Sequence, residues 1–302
     1  DIFNCDAIIV KKEGALITDK NVTADKVENA GEIKANVLTA EVYNTGIINA
    51  TTIVGDVDNN KGTVKVAKDI TGDVANSGVL EASNIFGDAQ NSGTLTVTGK
   101  VTGDVQNWGT ATINTVEGFL TNYKGATATV NTTAEFNNYG KLNLMGSNTI
   151  IAEGYNEGSI DIKGAYTVES LINKGSVDVN ADVTVLATGG VIRTPANTRA
   201  TAAEGTVLAT GGVIENQKGG TITVNATVYA KEEGIVKNFT GAVINVNGKL
   251  AEEVLNSGEI FVKGNGKVIV NGNLTRDVKG IIDVTEATGA EADAQKAMDY
   301  VT

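Results

Sequence analysis

The sequence predicts an all-β chain wound as a single-stranded parallel β-helix, taken as right-handed, and three observations lead there. An Asn-x-Gly motif returns about every 16 residues, the segments between its copies alternate apolar and polar residues at the strand period, and the composition is that of tight turns. Of 302 residues, 36 are Gly and 32 are Asn, with one Pro and only 5% aromatic, which suits many short strands joined by sharp corners.

The motif runs apolar, Asn two positions on, Gly two further. It appears as Val27-Asn29-Gly31, Val42-Asn44-Gly46, Val74-Asn76-Gly78, Ala89-Asn91-Gly93, Val105-Asn107-Gly109, Phe136-Asn138-Gly140 and Leu171-Asn173-Gly175. Asn60, Asn122 and Asn156 complete the series with small departures, and successive spacings are 15, 16, 16, 15, 16, 15, 16, 18 and 17. A second signature keeps the same frame: GDV at 55–57 and 72–74, GDA at 87–89, GDV at 103–105 and GFL at 118–120. In the second half the period lengthens to 22, as TVLATGGVI at 184–192 recurs at 206–214 and GVIENQKGGTITV at 212–224 matches GIVKNFTGAVINV at 234–246.

Within one unit, Leu95, Val97, Val101 and Val105 alternate with Thr94, Thr96, Thr98, Thr102 and Asp104, so one face of each strand is apolar. A coil that returns above itself explains the constant length, because each turn then sets every motif position over its predecessor. Three consequences are expected: inward aliphatic columns, Gly at positive-φ corners, and a ladder of inward Asn amides stacked from coil to coil.

Three segments follow. Residues 1–20 lack the repeat but carry the apolar AIIV at 7–10 and read as an N-terminal cap or docking strand. Residues 21–285 form the solenoid. Residues 286–302, with Ala290, Ala294, Ala297, Met298 and Val301 at helical spacing, read as a short capping helix or tail. The stretch 193–205 holds the sole Pro and two of the three Arg, and reads as a loop bulging from one coil, with Arg193, Pro195 and Arg199 as candidate ligand contacts.

Composition narrows the chemistry. Histidine is absent and Cys5 is the single cysteine, which removes Ser-His-Asp and Cys-His nucleophile systems, His- or Cys-based zinc sites and intrachain disulfides. Cys5 itself reads as a small apolar residue of the cap. A balance of 24 basic against 36 acidic residues, with no basic cluster, gives nucleic acid little to bind. No apolar run approaches the roughly 18 residues of a membrane span. A start at Asp1 fits a leader already removed.

Asp56, Asp73, Asp88 and Asp104 share one repeat position and would stack on successive coils. Neighbouring carboxylates repel, so a cation such as Ca²⁺ held between coils would relieve them; hydrated carboxylates bonded in part to turn amides are the plainer reading. No cofactor is otherwise implied. The pairs Thr94/Thr96, Thr110/Thr112 and Thr127/Thr129 are similar to the flat Thr arrays of ice-binding solenoids, but the pattern lapses at Lys141/Asn143.

The Asn-x-Gly-x-apolar repeat over 21–285 resembles the solenoid repeats of bacterial surface adhesins of the filamentous-haemagglutinin and autotransporter type. VTGDVQNWGTATIN at 101–114 also resembles the coils of bactofilins, and bacteriophage fibres use β-solenoids too. The first resemblance implies an extracellular or cell-surface protein that displays or anchors something, the second an intracellular polymer, the third a virion fibre. The resulting expectation is a structural, non-catalytic subunit of a bacterial extracellular fibre or adhesin, homo-oligomeric or filamentous through its solenoid ends. A glycan-binding adhesin stalk or phage fibre is the first alternative. A polysaccharide-degrading β-helix enzyme is the second, for which the chain offers three Arg and one Trp.

Overall fold

In a computed structural model the chain is an all-β parallel solenoid, with coils about 16 residues apart and no helix among the described residues. The structure describes residues 2–147 and 149–164 continuously, and beyond them strand segments and short turns between 166 and 287. Pro195 and residues 288–302, where the capping helix was expected, lie outside the described residues, while 286 and 287 end the strand Ile281–Ala287. The chain divides into two compact units, Asp1–Thr133 and Ala134–Thr302.

In the first unit each coil contributes strands to three faces, and every recorded pairing is parallel. On the first face Ile8, Val27, Val42, Val57, Val74, Ala89, Val105 and Leu120 stand in one register column. On the second, Leu16, Ile33, Ile48, Val64, Leu80, Leu95 and Ala111 do the same. The third carries Val22, Leu38, Ile53, Ile70, Ile85, Val101 and Val116. From Val22 onward nearly every member of the three columns is fully buried, and the second face buries a further residue two positions on, as at Ala35, Ala50, Val66, Ala82, Val97 and Ile113. Burying each Val, Leu or Ile contributes about 1.5–3 kcal/mol, and this is why the apolar positions of the repeat tolerate exchange among Val, Ile, Leu and Ala but not polar residues.

Residues 1–20, read from sequence as a cap or docking strand, contain the strands Ile2–Val10 and Ala15–Ile17, which pair in parallel with Val22–Asn29 and Glu32–Asn44. They form the first coil of the stack. In the second unit the same grammar continues: Leu142, Ile160, Val177, Ala200, Ile222, Ile244, Ile260 and Ile282 form one register column. The 22-residue period appears as Val191 opposite Val213, which in turn stands opposite Ile235. The copies beginning at 184 and 206 are offset, since Thr184 pairs with Leu208.

Within the stretch 193–205, read from sequence as a loop, 193–194 and 199–205 are strand, which corrects that reading there, and 195–198 lie outside the described residues. Arg193 lies in the strand Val191–Thr194 between Ile172 and Glu215, and Arg199 opens the strand Arg199–Thr210 between Ser176 and Thr221. The alternation of Ala200 and Ala202 with Thr201 is a strand pattern that the Pro and the Arg residues obscured.

Candidate functional site

The Asn ladder is the most regular polar feature. Asn29, Asn44, Asn76, Asn91, Asn107 and Asn122 are buried in the first unit, and Asn138 and Asn156 in the second. Each Nδ2 donates to the Oδ1 of the next Asn: Asn29 to Asn44 at 2.7 Å, Asn76 to Asn91 at 2.7 Å, Asn91 to Asn107 at 2.8 Å, Asn107 to Asn122 at 2.8 Å and Asn138 to Asn156 at 2.6 Å. The same amide closes its own corner. Asn107 Nδ2 lies 3.1 Å from Gly109 O and 3.1 Å from Thr127 O, and its Oδ1 accepts from Gly109 N–H at 3.3 Å. A short polar side chain that both donates and accepts is what such a corner needs, since buried backbone groups left unpaired cost more than the bonds themselves contribute. Asn173 stands opposite Asn156 in the strand register, and its side chain lies outside the described residues.

One member is corrected. Asn60 is exposed, and Asn59 occupies the ladder, taking Asn44 Nδ2 at 2.8 Å on its Oδ1 and donating to Asn76 at 2.7 Å. This coil has one extra corner residue: Lys61 sits at φ 61°, Gly62 replaces the usual Gly two positions after Asn, and Asn59 Nδ2 reaches Gly62 O at 3.0 Å. Asn238, which the ladder as read from sequence did not include, is also buried and donates to Glu259 O at 3.0 Å.

The corner glycines serve mainly through close approach. A Cβ on Gly46, Gly93 or Gly109 would sit 2.1–2.2 Å from the carbonyl oxygen of the Gly one coil below, at φ values any residue adopts. Among the described glycines positive φ occurs at Gly55, Gly72, Gly125 and Gly241, and the first two immediately precede Asp56 and Asp73.

Asp56, Asp73, Asp88 and Asp104 do stack on successive coils, and their carboxylates accept backbone N–H groups. Asp73 N–H donates to Asp56 Oδ1, Asp88 N–H to Asp73 Oδ1, Asp104 N–H to Asp88 Oδ1 and Phe119 N–H to Asp104 Oδ1, each at 2.8 Å. The column thus caps the amides of the next corner, and among the described residues no three acidic or thiol side chains gather closely enough to hold a metal ion.

Elsewhere the surface is open. A groove of about 470 Å³ follows the corner after the second face, walled by Lys34, Asn49, Lys65, Glu81 and Thr96, with an exposed Lys65–Glu81 ion pair at 3.3 Å. Near the first coil, Lys26 Nζ lies 2.8 Å from Glu28 and 4.6 Å above the Tyr43 ring; the Glu28 hydrogen bond raises the Lys26 pKa and lowers that of Glu28. Cys5 is a free thiol, partly buried, 3.6 Å from Ala7 O.

The most differentiated spot lies where the residue between Asn and Gly changes size. That position is Ser77, then Ser92, then Trp108, then Tyr123 on four consecutive coils. The Trp108 and Tyr123 rings stack at 4.4 Å with planes 4° apart, and a recess of about 150 Å³ opens beside Trp108, lined by Asp58, Ala75, Ser77, Gln90 and Ser92. Tyr139 and Tyr155 make a looser pair in the second unit, 6.0 Å apart and tilted by 57°. Sequence reading singled out Trp108 only as the sole Trp; the step from Ser to Trp in one repeat column was the signal for the recess.

No family model matches the chain, and neither does any curated protein or solved structure. The chain is a parallel β-solenoid with a buried asparagine ladder.

Proposed function

We propose that the chain is a structural, non-catalytic building block of a bacterial extracellular fibre or surface adhesin, joined to its neighbours through the ends of its coil stack. The observation that carries this reading is the ladder: six consecutive side-chain bonds from Asn29 to Asn122 repeat the same geometry, with a capped corner at each coil. Such regularity resists extension along the stack and leaves few loops for proteolysis.

The first coil supports association at an end. Among the described residues, Ile2–Val10 and Ala15–Ile17 pair on one side only, and Ile9 and Ile17 are 55% and 63% exposed. Exposed apolar side chains on strands whose other side has no partner among the described residues offer a template for a further strand. Analytical ultracentrifugation and electron microscopy at rising concentration test the proposal: filaments or end-to-end oligomers are expected, and Ile9→Lys with Ile17→Lys should abolish them without unfolding the protein. A chain that stays monomeric at high concentration would overturn it.

A further inference from the structure

We propose that the recess beside Trp108 binds a neutral hexopyranose unit of a glycan. The site is built by a change of side-chain size in two adjacent columns. On the outward side of the first face the register runs Asp58, Ala75, Gln90, Gln106, so Ala75 leaves a notch between two polar side chains. At the strand spacing, Asp58 and Gln90 stand about 9.6 Å apart along the stack, room for one saccharide ring. In the neighbouring column Ser77 and Ser92 keep two coils low before Trp108 rises above them.

Tyr123 covers one face of the indole and fixes its orientation, while the recess lies against Trp108 and excludes Tyr123 from its lining. The backbone beneath is anchored, with Trp108 N–H on Asn91 O and Ser92 N–H on Asn76 O, both at 2.7 Å. Trp108 remains 44% exposed. A rigid aromatic plane beside a small polar notch matches a pyranose, which presents an apolar C–H face and a rim of hydroxyls.

The polar groups select further. The side chains of Asp58 and Gln90 make no hydrogen bond or ion pair among the described residues, so a carboxylate and an amide are available to neighbouring hydroxyls. Ser77 Oγ accepts Lys61 N–H at 3.1 Å, while the hydroxyls of Ser77 and Ser92 donate only at long range, 3.4 and 3.5 Å from the carbonyls of Asn59 and Asn76. No Lys or Arg lines the recess and one Asp does, which disfavours phosphate, sulfate and uronic acids. A simple alkylammonium ion would use Trp108 and Asp58 but leave Gln90 and both serines idle.

Trp108 is the chain's only tryptophan, so its fluorescence reports this site alone. The intact protein would be titrated with neutral trisaccharides of glucose, galactose and mannose, with a trimer of a uronic acid, and with choline. A saturable change in the millimolar range is expected for at least one neutral trisaccharide. Ala75→Arg, at an exposed position, fills the notch and should weaken binding at least tenfold, and Gln90→Ala several-fold, with circular dichroism unchanged. No saturable response to any neutral trisaccharide, a response confined to choline or the uronic trimer, or binding that survives Ala75→Arg would each overturn the proposal. The site is independent of end-to-end assembly: a strictly monomeric protein that binds sugar would retain it and refute only the fibre reading.

Discussion

Asn59 and Asn60 are adjacent in the chain and differ in environment, so replacing each with Ala isolates what the ladder contributes. Asn59 is fully buried, with Nδ2 at 2.7 Å from Asn76 Oδ1, 3.0 Å from Gly62 O and 3.1 Å from Val79 O, and with Oδ1 accepting Asn44 Nδ2 at 2.8 Å. Two amide hydrogens and one acceptor contact amount to three bonds, each worth about 1 kcal/mol net. Some partners keep alternatives after truncation: Gly62 O still accepts Val79 N–H at 2.9 Å, and Asn44 Nδ2 still reaches Gly46 O at 3.0 Å. Those remnants limit the penalty for stranded groups, and the small void adds roughly 1 kcal/mol. Asn59→Ala is therefore expected to cost about 3–4 kcal/mol, whereas Asn60→Ala, on the surface, should stay within about 0.5 kcal/mol. Repeat arrays open locally, so hydrogen exchange is the sharper assay. The amides of Thr63 and Val79, which bond to Gly46 O and Gly62 O, should exchange on the order of 100-fold faster in Asn59→Ala. Equal effects from the two substitutions, or a larger one from Asn60→Ala, would refute the assignment of Asn59 to the ladder.

Other substitutions probe the corners and the buried phenol. Gly109→Ala places a Cβ 2.2 Å from Gly93 O and should destabilise by about 3 kcal/mol or more, while Gly125→Ala, in open space at φ +85°, should cost only about 1 kcal/mol in denaturant titrations. Asp88→Ala removes the acceptor of Asp104 N–H and should cost about 1 kcal/mol; Asp88→Asn retains it, and millimolar calcium should leave the melting temperature of either protein unchanged. Burial pushes the Tyr166 phenol up to about 12, against a lowering from the Gly146 N–H that donates to its oxygen at 2.8 Å. Because the folded pKa lies above that of the unfolded chain, near 10, the stability it contributes is intact below pH 10 and is lost as pH rises towards 12. In an ultraviolet titration Tyr166→Phe should lose one phenolate's worth of absorbance from the high-pH end of the rise, near pH 12, relative to the unchanged protein.

The period, the aliphatic columns and the ladder were legible because stacking forces identical side chains into register, which writes a spatial contact as a sequence spacing. What was hidden involved single residues and backbone. The extra residue at Lys61 shifted the ladder by one position, and a rule keyed to Asn-x-Gly selected Asn60. Positive φ explains few of the glycines, since the carbonyl of the coil below forbids a Cβ at Gly46, Gly93 and Gly109 whatever their φ. The Asp column was recognised, but its amide partners lie 15 to 17 residues away, where composition gives no hint of them. Arg193 and Arg199 stood out as chemistry in a sequence poor in cations, although their backbone keeps strand register. The recess beside Trp108 arises from an interruption of the repeat, and a reading tuned to regularity passes over it.

From Asn29 to Asn122 every amide donates in the same sense, towards the next coil, so the carboxamide dipoles add head to tail as well as side by side. Each bond polarises the next, and the row has a direction: Asn29 offers its Oδ1 at the low end, bonded only to its own Gly31 N–H at 3.2 Å. Val10 of the first coil stands opposite Asn29 and brings no donor, so the row stops one coil short of the edge of the described stack. The dipoles therefore add over the coils from Asn29 to Asn122 and end against a buried apolar side chain, and a coil carrying Asn in place of Val10 would lengthen the row by one amide in the same sense.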